Sequence, residues 1–189
     1  MPQPKSKTME EKPTPYKTAM NFGALLGLVL IAYSALLYAF DQTTNQALSW
    51  LSYIFLAGGI ILGTKTYRDK NLGGYITYNQ ALWTGTLIVF FASFLSAFYT
   101  YIFTKFIDPG MITKILEETE MKMLEEQKMG EDEVEMAMKY TRMFVTSEIM
   151  TITVIIATTI MGFIISLITS AILKKENPNQ SFENVIDNT

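Results

Sequence analysis

The side chains of this chain that could carry chemistry are few, and their types narrow it at once. Asn79 and Gln80, followed by Ser93, Ser96 and Thr100, are neutral donors and acceptors able to line a path for a small neutral or cationic solute. Interhelical hydrogen bonds or bonds to their own helix are the plainer use of the same groups. Met121-x-Met123 and Met136-x-Met138 bring thioethers close in sequence, and eight of the twelve Met residues lie between 111 and 150. Soft sulfur suits Cu(I), but helical residues two apart point about 200° from each other, so neither pair chelates on a helix. Met also fills irregular apolar gaps. The neighbouring acids could attract divalent cations loosely, yet no DxDxDG-type loop supplies a calcium site. With no His and no Cys, the usual proton shuttles, thiol nucleophiles, disulfides, haem ligation and zinc sites are missing. No catalytic, cofactor-binding or metal-ligating residue is therefore assigned, and the expectation is a protein that is not an enzyme. A net charge of -3 without a basic stripe removes the footprint of a nucleic-acid binder.

The elements that must position these residues follow from segregated charge. Uncharged runs cover 18–40, 42–64, 71–104 and 149–173, which together hold 105 of the 189 residues. A bilayer core needs roughly 20 mainly apolar helical residues to cross, so each run is long enough. The sequence predicts an all-α, polytopic membrane protein with four transmembrane helices, in contact with lipid. The first span is too long for a signal-peptide core and carries Leu37 and Tyr33 where cleavage wants small residues, so it reads as retained. The second is expected from about Gln46 to Thr64, the third within Asn79–Phe103 and the fourth over Ile149–Leu173. The polar link Asp41–Asn45 makes the first two antiparallel neighbours, and Arg68–Gly74 reads as a turn. Residues 1–17, with Pro2, Pro4, Pro13 and Pro15, read as a disordered tail. Residues 18–104 then hold three spans, 105–148 a segment outside the membrane, 149–173 the last span and 174–189 a second tail.

Lys and Arg set the orientation. The N-terminal tail, the 65–70 link and the C-terminal tail hold nine of them, and the link between the first two spans holds none. Both termini are therefore expected in the cytoplasm. Trp50, Tyr53, Tyr38, Tyr75, Tyr78, Trp83, Tyr99 and Tyr101 fall near the ends of the runs and read as interfacial anchors. Gly23 and Gly27, Gly59 and Gly63, and Thr158, Gly162, Ser166 and Ser170 let helices approach closely, either within one bundle or across a homo-oligomer. No Asp, Glu, Lys, Arg or His lies inside any of the four runs, which weakens an ion-coupled pump.

The segment 105–147 carries ten acids against six Lys and Arg. Asp108-Pro109 reads as the start of a helix running to Met129, with Asp108 as the cap. Ile112, Ile115, Leu116, Met123 and Leu124 form its stripe, and Glu118 to Lys122 is an i,i+4 pair. After Gly130 a second helix opens on Glu131-Asp132-Glu133, pairs Glu135 with Lys139, and shares Val134, Met138 and Val145 on one face. The expectation is an acidic amphipathic helical hairpin outside the membrane, folded on itself or onto the bundle.

Gly74-Tyr75-Ile76-Thr77-Tyr78-Asn79-Gln80-Ala81-Leu82, then the run from Tyr99 to Asp108-Pro109-Gly110, the acidic Met/Glu-rich segment and the closing Gly162–Lys175 together resemble the bacterial membrane proteins grouped as domain of unknown function 4199. The resemblance spans about 17–175. It implies a four-helix inner-membrane protein with a helical insertion between helices three and four, and it implies no activity. The role expected is a scaffold or partner-binding protein acting through the hairpin, with transport or channel activity as the alternative.

Overall fold

In the computed structural model, residues 14–43, 45–126 and 130–177 are described. Six α-helices follow one another: α1 (Tyr16–Ala39), α2 (Gln46–Asn71), α3 (Tyr78–Ile102), α4 (Gly110–Glu126), α5 (Glu131–Phe144) and α6 (Ser147–Leu173), with a π-helical turn, Phe103–Ile107, at the exit of α3. α1, α2, α6 and α3 with its π turn are each long and apolar enough to cross a bilayer.

Local chemistry explains where the long helices start. The Asn45 side chain accepts from the amides of Ala47 and Leu48, and Thr77 and Gln80 form a reciprocal capping box at α3. The Thr146 hydroxyl accepts from the Ile149 amide to open α6 two residues earlier than the charge-free run. α2 continues to Asn71, so Arg68–Asn71 is helix and the turn shrinks to Leu72–Gly74. Arg68 and Lys70 lie in the last turn of α2, where cations suit the helix dipole. Gly73 and Gly74 take φ of 64° and 90°, a turn that other residues resist. The tail expected over 1–17 falls mainly on 1–13, outside the described residues, and Tyr16 and Lys17 already belong to α1.

Close approach at small residues orders the bundle. A Cβ placed on Gly23 would stand 2.6 Å from the Ile88 carbonyl oxygen, and one on Gly27 3.0 Å from Leu95, so α1 and α3 run parallel. Gly59 meets Leu26 while Gly63 meets Phe22, which makes α2 antiparallel to α1. Gly85 meets Ser166 and Gly162 meets Val89, so α6 is antiparallel to α3. α3 is thus the central helix, and Ile60, Ile88, Val89 and Ala92 form the core around it. On α6 the outward residues Ile152, Ile156, Ile160, Ile164, Ile168 and Ile172 are exposed at four-residue spacing, while Gly162, Ser166 and Ser170 are buried. Large apolar side chains outside and small ones inside is the arrangement that lipid, offering no hydrophobic drive between helices, selects.

The chain after α6 returns to the start of α3. Ile76 and Lys175 exchange both backbone hydrogen bonds at 2.9 Å, and Arg68 donates to the Leu173 carbonyl.

Candidate functional site

The solute-path residues do not converge. All five lie on α3 or its first turn, and Asn79 and Gln80 are exposed. Gln80 spends its side-chain oxygen on the Thr77 amide at 3.0 Å. Ser93 is fully buried, donates to the Phe90 carbonyl at 2.8 Å and meets the Thr159 hydroxyl of α6 at 3.3 Å. Thr100 donates to the Ser96 carbonyl at 2.9 Å. These are the hydrogen bonds within and between helices that neutral side chains make in lipid. The Ser96 hydroxyl is buried with no partner, as are those of Thr64, Ser166 and Ser170. In the sequence Ser166 and Ser170 read only as small spacers, and Thr64 stands out by no spacing or motif. Buried Thr64, Thr84, Ser93, Ser166 and Ser170 set hydroxyls into the packed faces of α2, α3 and α6. Between α3 and α6, neither Gly85 nor Gly162 leaves space for one methyl group, so the interface is closed by direct contact at both levels.

Outside the bundle, α4 and α5 touch each other. Ile112, Ile115, Leu116 and Met123 are half-buried, Leu124 is exposed, and Val134 and Met138 are buried, with Val145 half-buried just past the helix. α4 begins at Gly110 rather than Pro109, because Asp108 takes φ -135° and ψ 80° as the residue that ends the π turn. The end expected at Met129 lies outside the described residues. The Glu133 carboxylate accepts from the Gly130 amide and caps α5. Neither expected i,i+4 pair is among the ion pairs of the described residues. Arg142 of α5 instead reaches Glu120 of α4 at 3.8 Å, and an open cleft of about 530 Å³ between the helices is lined by Met136 and Met138 as well as by Glu120, Asp132, Glu135, Lys139 and Arg142. Such exposed charges interact weakly through water. Met136 is exposed and Met138 buried, and Met121 is exposed while Met123 is half-buried; the members of each pair point to different sides, as helical geometry requires.

The two legs of this insertion are tied where they leave the bundle. Lys105 Nζ lies 2.6 Å from a Glu148 carboxylate oxygen and 2.9 Å from the Tyr101 hydroxyl, and Tyr38 of α1 donates to Asp108 at 3.1 Å. At the opposite end Lys175 stands over the Tyr75 ring. Of the expected anchors Trp50, Tyr53, Tyr38, Tyr75 and Trp83 are exposed, as interfacial rings are.

Four apolar spanning helices, with an acidic pair of helices between the third and the fourth, define a multi-pass membrane protein whose helices meet lipid. The family described as protein of unknown function (DUF4199) matches residues 21–175, and the chain belongs to it. No curated protein and no solved structure matches the chain.

Proposed function

We propose that this chain is a non-enzymatic scaffold or partner-binding protein of the bacterial cytoplasmic membrane. Both termini are cytoplasmic, and the α4–α5 hairpin stands outside as the docking element. The distribution of Lys and Arg among the short links supports that orientation. The observation that carries the role is the way α4 and α5 use each other. Val134 and Met138 are buried and Ile112, Leu116 and Met123 half-buried, while α4 keeps Met121 and Leu124 exposed beside Glu117 and Glu125. An apolar pair rimmed by carboxylates suits a protein partner that brings a basic amphipathic segment. The small residues open to a homo-oligomer are largely engaged within the chain, since Gly23, Gly27, Gly59, Gly63 and Gly162 each abut a neighbouring helix. A solute path draws less support, because Gln80, Ser93 and Thr100 are spent on hydrogen bonds.

The test is in-cell crosslinking of a tagged chain followed by purification, with a quadruple variant carrying Met121→Ala, Leu124→Ala, Glu117→Lys and Glu125→Lys beside the wild type. The expected result is one crosslinked protein enriched with the wild type and lost with the variant. Identical crosslinks for both, together with an uptake defect in a deletion strain that wild type restores and Asn79→Leu does not, would overturn the reading in favour of transport.

A further inference from the structure

α5 carries a second apolar face that, among the described residues, is left largely exposed. Met136, Tyr140, Met143 and Phe144 are 65%, 60%, 64% and 65% exposed, and their i, i+4, i+7, i+8 spacing puts them on one side of the helix. The stripe points away from buried Val134 and Met138, the side packed on α4, although Met136 also lines the open cleft between the two helices. We propose that α5 lies along the membrane surface, with these four side chains set into the boundary between headgroups and acyl chains of the bilayer that α6 enters.

Three observations choose lipid as the occupant. First, only Val145 and Thr146 separate α5 from α6, and the three Cα steps between the helix ends span roughly 11 Å at most, so the Phe144 end of the stripe lies beside the start of a helix able to cross a bilayer. Val145 (φ -95°, ψ 72°) and Thr146 (φ -121°, ψ 158°) leave helical geometry, so α5 is not a straight extension of α6. Second, the Lys105–Glu148 ion pair at 2.6 Å marks the level at which charge begins on both legs. Phe144 is one helical turn in sequence from Glu148, and on the other leg Phe106 and Ile107 are 71% and 58% exposed. Both legs thus present large apolar side chains at the level of the headgroups. An upright α5 would carry Met136 roughly 18 Å beyond Glu148 into water, whereas a flat one keeps the whole stripe at the boundary. Third, Met, Tyr and Phe suit that boundary, Tyr by keeping its hydroxyl wet.

Electrostatic attraction is not the source of this contact, because the segment 105–147 has more acids than bases; the fitting surface is a zwitterionic bilayer. Strong adhesion is also unnecessary, since α6 holds α5 beside the membrane and makes the contact intramolecular. In this pose α4 rides on the far side of α5, leaving Met121 and Leu124 free for the partner proposed above.

Because the chain has no Cys, single cysteines report cleanly. Full-length variants Met136→Cys and Met143→Cys on the stripe, and Glu135→Cys and Lys139→Cys beside it, are labelled with a nitrobenzoxadiazole fluorophore. They are then reconstituted into phosphatidylcholine vesicles with or without a lipid bearing a nitroxide near the top of its acyl chain. The expected pattern is nitroxide quenching at 136 and 143 about twofold or more above that at 135 and 139, with aqueous iodide quenching in the reverse order. Equal iodide quenching at all four positions overturns the proposal. So does shielding of 136 and 143 from both quenchers, which in vesicles holding only this chain means that a second copy covers the face. Neither result bears on the crosslinked partner, and loss of that partner leaves the quenching pattern intact.

Discussion

Replacing Gly162 with Ala adds one methyl group at the tightest crossing of α3 and α6. The new Cβ would overlap Val89 Cγ1 and stand 2.6 Å from Val89 Cβ and Cγ2, where ordinary contact begins near 3.4 Å. Val89 is fully buried, and its branch at Cβ leaves it little rotamer freedom. The helices must therefore part, by about 1 Å at this level. A gap of that size forfeits about a quarter to a half of each contact it opens, and overpacking of this kind costs roughly 1–3 kcal/mol. A loss of about 2 kcal/mol is roughly a thirtyfold shift in the folded-to-unfolded ratio. Reversible unfolding in mixed micelles of rising SDS content, followed by far-ultraviolet circular dichroism and tryptophan fluorescence, measures it. Val89→Ala in the same chain removes both methyls but keeps the Cβ, itself 2.6 Å from the new group, so the double variant should recover only part of the loss relative to additivity. Gly58→Ala is the control: nothing lies within 4 Å of a Cβ there, and Ala at that helical site should be neutral or mildly stabilising. If Gly162→Ala unfolds within about 0.5 kcal/mol of wild type, α3 and α6 are not in close contact at this level.

Thr77→Ala should cost about 1 kcal/mol in the same assay, because it removes one half of the capping box at α3, and Thr77→Ser should retain most of it. A double-mutant cycle on Lys105→Met and Glu148→Gln should return a coupling below about 1 kcal/mol that shrinks with added salt, since both side chains are substantially exposed; a salt-independent coupling above about 3 kcal/mol would mean the pair is buried. Asp132→Cys should react with an impermeant thiol reagent in intact spheroplasts and Lys70→Cys only after permeabilisation; the opposite pattern reverses the assigned orientation.

Four spans were legible in the sequence because the bilayer imposes a constraint that one dimension records: roughly 20 residues without charge. Thr77 with Gln80 is likewise a local signal, satisfied within one turn and independent of the rest of the fold. The stripe of Val134 and Met138 was readable from helical periodicity, although periodicity names a face without naming what covers it, and Tyr140, Met143 and Phe144 were passed over for that reason. The end of α2 was misplaced at the boundary of charge, because a helix needs no apolar residues once its backbone bonds continue into water.

The candidate site was less legible than the fold. Asn79, Gln80, Ser93, Ser96 and Thr100 share one helix, and no pattern in their spacing tells a pore lining from a set of internal hydrogen bonds. The contacts of Ser93 with Phe90 and Thr159 required the position of α6. Gly85 showed no partner in sequence and proved to be where Ile60 and Ser166 converge. The Ile76–Lys175 bridge joins residues 99 positions apart, and the cross-helix pair of Arg142 with Glu120 replaced two local pairs of equal merit. Composition and periodicity are properties of a segment and can be read along it. Which glycine receives which side chain depends on helix order, rotation and depth, and those exist only after all four spans have packed, since in lipid the choice among packings rests on shape rather than on hydrophobicity.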